Sequence, residues 1–197
     1  MARKRSPKMK DQIRKAAIRI ISEVGFHNCT TDKIANEAGV SVGTIYNYFA
    51  DKNDILSYIF EIEQKKLRIY FKRIKKSELS VPDKIKYLVK EYYKFIYENK
   101  KLAMLLYDEG NKPVSGITEG MLNYTILIHE CVKELLIEGV NNGSVRDNID
   151  LDIMASVMIG GANSIAFMGY LNLDKIDSIF NAAPDNLYNI FQDGIFT

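Results

Sequence analysis

The twenty residues from Thr30 to Phe49 leave the backbone few choices. Thr30 or Thr31 can cap a helix, because a short hydroxyl side chain accepts from the unpaired N–H groups of the first turn. Ile34, Ala35 and Ala38 then recur at helical spacing and form one apolar face. Gly39 tolerates the positive φ of a tight turn. Ser41 can cap again, so a second short helix runs through Ile45 to about Phe49. Small Ala35 lets the two helices approach, Val40 fills the angle between them, and Ile45 pins the second from inside. The plan is helix, glycine turn, helix.

The outer face of that second helix carries Val42, Thr44, Asn47 and Tyr48. Thr and Asn can bond to base edges or phosphate, Val42 can touch a thymine methyl, and a Tyr hydroxyl can reach a phosphate. Amides at the helix starts near Thr31, Ser41 and Lys52 offer further anion contacts. Spacing alone equally permits a helical hairpin that never meets nucleic acid.

The rest of the chain keeps the helical period. Ile13, Ala16, Ala17, Ile20, Ile21 and Val24 form one face of a first helix that Gly25 should stop. A long fourth helix is expected from Lys52 to about Lys76, then a fifth from the cap Ser80 to about Glu98, with Pro82 tolerated in its first turn. Shorter or later helices follow at about Leu102–Glu109, Met121–Glu138, Asp150–Tyr170 and Lys175–Gln192, the last bent or broken at Pro184. Only four prolines interrupt the chain, and no segment alternates as a strand does. The expected class is all-α, with the helix-turn-helix plan inside residues 1–51 and further helices over 52–197.

Charge is divided unevenly. Residues 1–80 hold 17 Lys and Arg against 9 Asp and Glu, a net of +8, whereas 81–197 hold 10 against 16, a net of −6. One end therefore suits a polyanion and the other does not. Cys29 and Cys131 stand in unrelated contexts, so neither a disulfide framework nor a metal site is expected. The basic start is followed by no apolar h-region, and the reading is a reduced, cytoplasmic protein. With no glycine-rich phosphate loop, no metal-ligand spacing and two unpartnered histidines, neither an enzyme, a cofactor nor a catalytic residue is expected.

The stretch from Ala16 to Leu56 resembles the N-terminal domain of the tetracycline-repressor (TetR) family. The residues that carry the resemblance are Ala16-Ala17, Phe26, Thr30-Thr31, Ile34-Ala35, Ala38-Gly39-Val40-Ser41, Gly43-Thr44-Ile45-Tyr46, Tyr48-Phe49, Lys52 and Leu56. It implies a DNA-binding domain at 1–51 and a helical ligand-binding and dimerisation domain at 52–197, in a homodimer that binds palindromic operator DNA and is released from it by a small molecule. Carried over by position, the DNA-contacting residues would be Thr31, Ser41, Val42, Gly43, Thr44, Tyr46, Asn47, Tyr48 and Lys52. Tyr46 and Lys52 match the family's phosphate contacts, and Val42, Thr44 and Asn47 fall where members vary. Arg3, Lys4 and Arg5 could form a basic arm or a solvated tail.

The run Leu136 to Asp150 looks like the turn before the eighth helix in many members, and the C-terminal pattern resembles the family's fatty-acid-type regulators. An apolar effector follows, in a cavity among helices four to eight. Candidate lining residues are Tyr92, Tyr93, Phe95, Tyr124, His129, Asn163 and Phe167, because aromatic groups with sparse polar ones line such sites. Ile153 to Leu173 contains no charge and is long enough to cross a membrane. Acids at both ends argue against anchoring, and the resemblance assigns the segment to the subunit contact. Ala155, Gly160, Gly161, Ala162, Ile165 and Ala166 would then form the dimer interface. A relative that organises DNA without any small-molecule effector is the alternative reading.

Overall fold

The computed structural model describes residues 6–110 and 118–195, and the described residues are helical with no strand. The helices are α1 (Pro7–Asn28), α2 (Thr31–Ala38), α3 (Val42–Tyr48), α4 (Lys52–Lys75), α5 (Val81–Glu98), α6 (Lys100–Gly110), α7 (Glu119–Asn141), α8 (Leu151–Leu171) and α9 (Ile176–Ile195). A 3-10 turn, Leu173–Lys175, leads into α9. The arm at Arg3, Lys4 and Arg5 lies outside the described residues.

Two compact units form, 1–65 with 101–125, and 66–100 with 126–197. The sequence expectation placed the boundary at Lys52, where α4 begins. The two units divide within α4, at 65/66, and Ile55, Leu56, Ile59 and Phe60 in its first half are fully buried.

In the first unit α1 packs on α2 and α2 on α3, around Ile13, Ala17, Ile34, Ala35, Ile45 and Phe49. Gly25 does stop the regular helix: its φ of 75° and ψ of 158° break α1 before a last turn at Phe26–Asn28. An ion cluster lies inside this unit. The Arg14 guanidinium meets Asp11 at 2.9 Å and the buried Glu63 carboxylate at 3.5 Å. Farther along, α4 and α7 approach so closely that a Cβ on Gly120 would come within 2.8 Å of the Ser57 carbonyl oxygen.

The second unit is built on α5, α8 and α9, which pack on one another around Tyr93, Ile96, Ala166, Phe180, Leu187 and Phe191. Asp150 caps α8 by accepting from the amides of Asp152 and Ile153, both at 3.0 Å. Lys84 is buried, yet its ammonium reaches Glu138 at 2.8 Å and the Lys75 carbonyl at 3.3 Å. Pro184 does not break α9, which continues through it as one helix. The single backbone bond that proline forfeits is outweighed by the apolar stripe on either side, Phe180, Ala183, Leu187 and Phe191.

Gly169 marks the closest packing of α8 on α9, where a Cβ would stand 2.3 Å from Phe180 Cε1. Gly169→Ala should therefore cost about 1–3 kcal/mol. Urea denaturation measures this, and an unchanged midpoint would contradict the packing.

Candidate nucleic-acid interface

The turn between α2 and α3 is set by Gly39, at φ 64° and ψ 36°. Its amide bonds to Asn36 O at 3.1 Å and the next amide, Val40, to Ala35 O at 3.0 Å, which closes the helix end in a Schellman motif. Thr30, rather than Thr31, is the cap of α2, accepting from the Lys33 amide at 3.3 Å. Thr31 thus becomes the first helical residue, half-buried. Ser41 caps α3 by accepting from the Thr44 amide at 3.1 Å, and its hydroxyl shares a 2.9 Å hydrogen bond with that of Thr44. Ile45 has no exposed surface and fixes the roll of α3.

That roll presents the expected residues outward. Ser41, Gly43, Tyr46 and Asn47 are exposed, and Val42, Thr44 and Tyr48 are half-exposed. Seven residues make a helix of about 10 Å, short enough to lie across a major groove about 12 Å wide. The Tyr48 hydroxyl accepts from the Ser6 amide at 2.9 Å, tying the start of α1 to the end of α3 and leaving its own proton to donate. Lys10 on α1 stands over the Tyr58 ring at 3.9 Å and the Phe49 ring at 5.1 Å, a basic group lodged beside α3.

Lys52 is placed differently from its neighbours. Its ammonium turns back onto the carbonyls of Phe26, His27 and Cys29, at 3.0, 3.3 and 3.3 Å, and lies 4.7 Å from the Phe26 ring centre. Burial pushes the nearby Cys29 thiol above its ordinary value, while the charges of Lys52 and Lys33 pull it down.

The seven residues expected to line a ligand cavity are only partly gathered. The Tyr92 hydroxyl donates to Asn163 Oδ1, and the Tyr93 hydroxyl to Ala162 O at 3.0 Å, so α5 and α8 share a polar seam with an aromatic wall. Tyr93 stands edge-on to Tyr92 at 5.3 Å and tilted on Phe180 at 5.6 Å, and burial pushes its phenol well above the ordinary range. Phe95 is half-buried on the same helix. His129 binds Asp152 O at 3.1 Å and Ser156 Oγ at 3.2 Å, seven residues and about 10 Å along α8 from Asn163. Tyr124 belongs to the first unit, edge-on to Phe60 at 5.6 Å, and Phe167 is on the exposed side of α8.

The six residues expected at a subunit contact are also divided. Ala155 and Ala166 are buried within the chain by the helix phase of α8. Gly160 is exposed, and Gly161, Ala162 and Ile165 are half-buried. The exposed stripe of α8 instead runs Ile153, Val157, Gly160, Ser164, Met168 and Leu171, at intervals of three or four. The spacing carries that signal in the sequence, but a helix apolar all round hides which stripe faces out. Among the described residues α8 is the one helix long and apolar enough to cross a membrane, with a mean hydropathy of 1.4.

Comparison with known proteins bears on this geometry. Residues 13–59, α1 through the first turns of α4, match the family model of bacterial regulatory proteins, tetR family. The fatty acid metabolism regulator protein of Bacillus subtilis strain 168 is 25% identical over 194 residues, covering 93% of this chain and 94% of its own. The fatty acid degradation regulator FadR from Bacillus halodurans has the same fold, with a TM-score of 0.85 at 25% identity over 95% of this chain and 96% of that one. FadR from Bacillus subtilis, solved with stearoyl-CoA, gives a TM-score of 0.82 at 22% identity over 91% of this chain and 96% of that one.

Proposed function

We propose that this chain, which belongs to the TetR family of bacterial regulatory proteins through the helix-turn-helix domain at 13–59, is a cytoplasmic, homodimeric repressor released from a palindromic operator by a long-chain acyl thioester. The observation that carries the DNA-binding part is the outward face of α3, where Ser41, Val42, Gly43, Thr44, Tyr46 and Asn47 surround a helix locked by the buried Ile45. Val42, Thr44 and Asn47 read base edges; Thr31, Ser41, Tyr46 and Tyr48 bind phosphate. Two copies joined along α8 and α9 present two such helices to half-sites about 34–36 Å apart.

The effector class is supported by the full-length likeness to a fatty acid metabolism regulator and by the acyl-CoA held by a structural relative. The seam at Tyr92, Tyr93 and Asn163, with Phe95 nearby, supplies an aromatic wall with few polar groups. One helix, α4, carries residues of both compact units, so displacing its second half moves the DNA-binding end. The ligand acts only if it prefers the released conformation, and the coupling is reciprocal, about 1–3 kcal/mol.

The test is operator selection from random DNA followed by anisotropy titration with stearoyl-CoA and with free CoA. Stearoyl-CoA should weaken operator binding about 5–150-fold and free CoA should not. An operator complex indifferent to every acyl chain length would leave an effector-free DNA organiser as the better account. A second expectation concerns readout: Asn47→Ala should cost about 1–3 kcal/mol at particular base pairs. Equal losses on all operator variants would contradict base reading.

A further inference from the structure

The corner joining α1 to α2 is made of four successive carbonyl groups, and a lysine side chain occupies each of them. Lys52, at the start of α4, donates to Phe26 O, His27 O and Cys29 O, and Lys33, in the first turn of α2, donates to Asn28 O at 2.9 Å. An ammonium has three N–H donors and here faces three acceptors. A phosphate oxygen could be bound only by displacing one of those carbonyls. The charge also sits at the carbonyl end of α1, the negative pole of that helix, and against the Phe26 ring.

We infer that Lys52 is a positioning residue of the helix-turn-helix rather than a phosphate contact, and that with Lys33 it clamps the α1–α2 corner to the first turn of α4. Gly25 makes the clamp possible, since leaving the helix at φ 75° frees the carbonyls after it to converge. The clamp joins three helix ends: the close of α1, the start of α2 and the start of α4. The recognition helix α3 lies between the last two in the chain, so its placement depends on the corner at both sides. Movement of α4 then reaches the corner ahead of α2 through hydrogen bonds from a single ammonium. The role in DNA reading rests on the operator binding proposed above; the clamp itself does not.

The experiment uses the full chain and three variants, Lys52→Met, Lys52→Arg and Lys33→Met, with two sets of readouts. Without DNA, melting temperature and mass-spectrometric rates of Cys29 alkylation are measured, because Cys29 is buried inside the corner. With operator, affinity is measured against salt. Lys52→Met should lower the melting temperature by about 4–8 °C and speed Cys29 alkylation on the order of fivefold or more. Its operator affinity should fall about tenfold or more, with the slope of log affinity on log salt unchanged. Lys52→Arg should behave like Lys52→Met, since a planar guanidinium cannot aim three N–H groups at converging carbonyls, although it binds phosphate well. Lys33→Met should show a smaller change in the same direction.

The inference is overturned if Lys52→Met melts and alkylates like the parent while its salt slope drops by about 0.9, the signature of one lost phosphate contact. Full operator binding by Lys52→Arg overturns it equally. Should Lys52→Met fail to fold, Lys33→Met decides: faster Cys29 alkylation supports the clamp, and parental behaviour refutes it. If no variant, and not the parent, binds any operator, the functional reading fails while the DNA-free readouts still test the clamp.

Discussion

A single acidic residue at Val157 should leave the chain monomeric. Ile153, Val157, Met168 and Leu171 are each half or more exposed on α8, and Ile190 on α9 is exposed to 64%. Only Ala155, Met158, Ala166 and Gly169 of α8 are buried by the chain itself. A stripe of this kind calls for cover, and in the proposed homodimer a second copy would supply the same stripe in return. In a two-fold interface every substitution occurs twice. Val157→Glu would bury two carboxylates of like charge, at several kcal/mol for each. Every 1.4 kcal/mol is about a tenfold loss, so dissociation should be complete at micromolar concentration. Sedimentation should give a dimer for the parent and a monomer for the variant, and loss of operator affinity should accompany it. A variant that remains dimeric would move the interface off this face of α8.

Removing the Glu63 side chain should bring the largest loss of stability. Glu63 and Arg14 are both buried, with 3.5 Å between carboxylate and guanidinium. Glu63→Ala leaves the guanidinium in a low-dielectric setting with Asp11, whose side chain is 42% exposed, as its remaining close ion partner. Breaking a buried pair from one side costs about 3–5 kcal/mol, and Asp11 places the value toward the lower end. The double variant Arg14→Met with Glu63→Leu removes both charges and should be close to neutral. The cycle of Glu63→Leu, Arg14→Met and their double variant therefore gives a coupling energy of opposite sign to the single losses. Denaturant midpoints measure all three, and a Glu63→Ala cost under about 1 kcal/mol would show that water reaches the pair.

The fold was legible because the local signals were strong and agreed. Caps at Thr30, Ser41, Ser80 and Asp150 stand where short polar side chains precede apolar periodicity, and each accepts a first-turn amide. The local rule at Pro184 counts one lost bond and omits the apolar stripe that holds α9 on both sides, so α9 is not broken there. Composition marks Tyr124 and Phe167 as aromatic without saying which way their helices are rolled. The exposed stripe of α8 was hidden for the same reason: with apolar residues on every side, the period singles out no face. Lys52 shows the limit most clearly, since position in a motif names a side chain but not the group it touches.

The order of the helices, their caps, the glycine turn at Gly39 and the outward set on α3 are properties of neighbours within about one helical turn. Such properties depend on local sterics and hydrogen bonding, which the order of residues carries by itself. The meeting of Lys52 with the carbonyls of Phe26, His27 and Cys29, of Arg14 with Glu63, and of Tyr92 with Asn163 joins groups far apart along the chain. No local preference selects those pairs. They arise when packing sets the roll and separation of whole helices, and only the tertiary structure decides that.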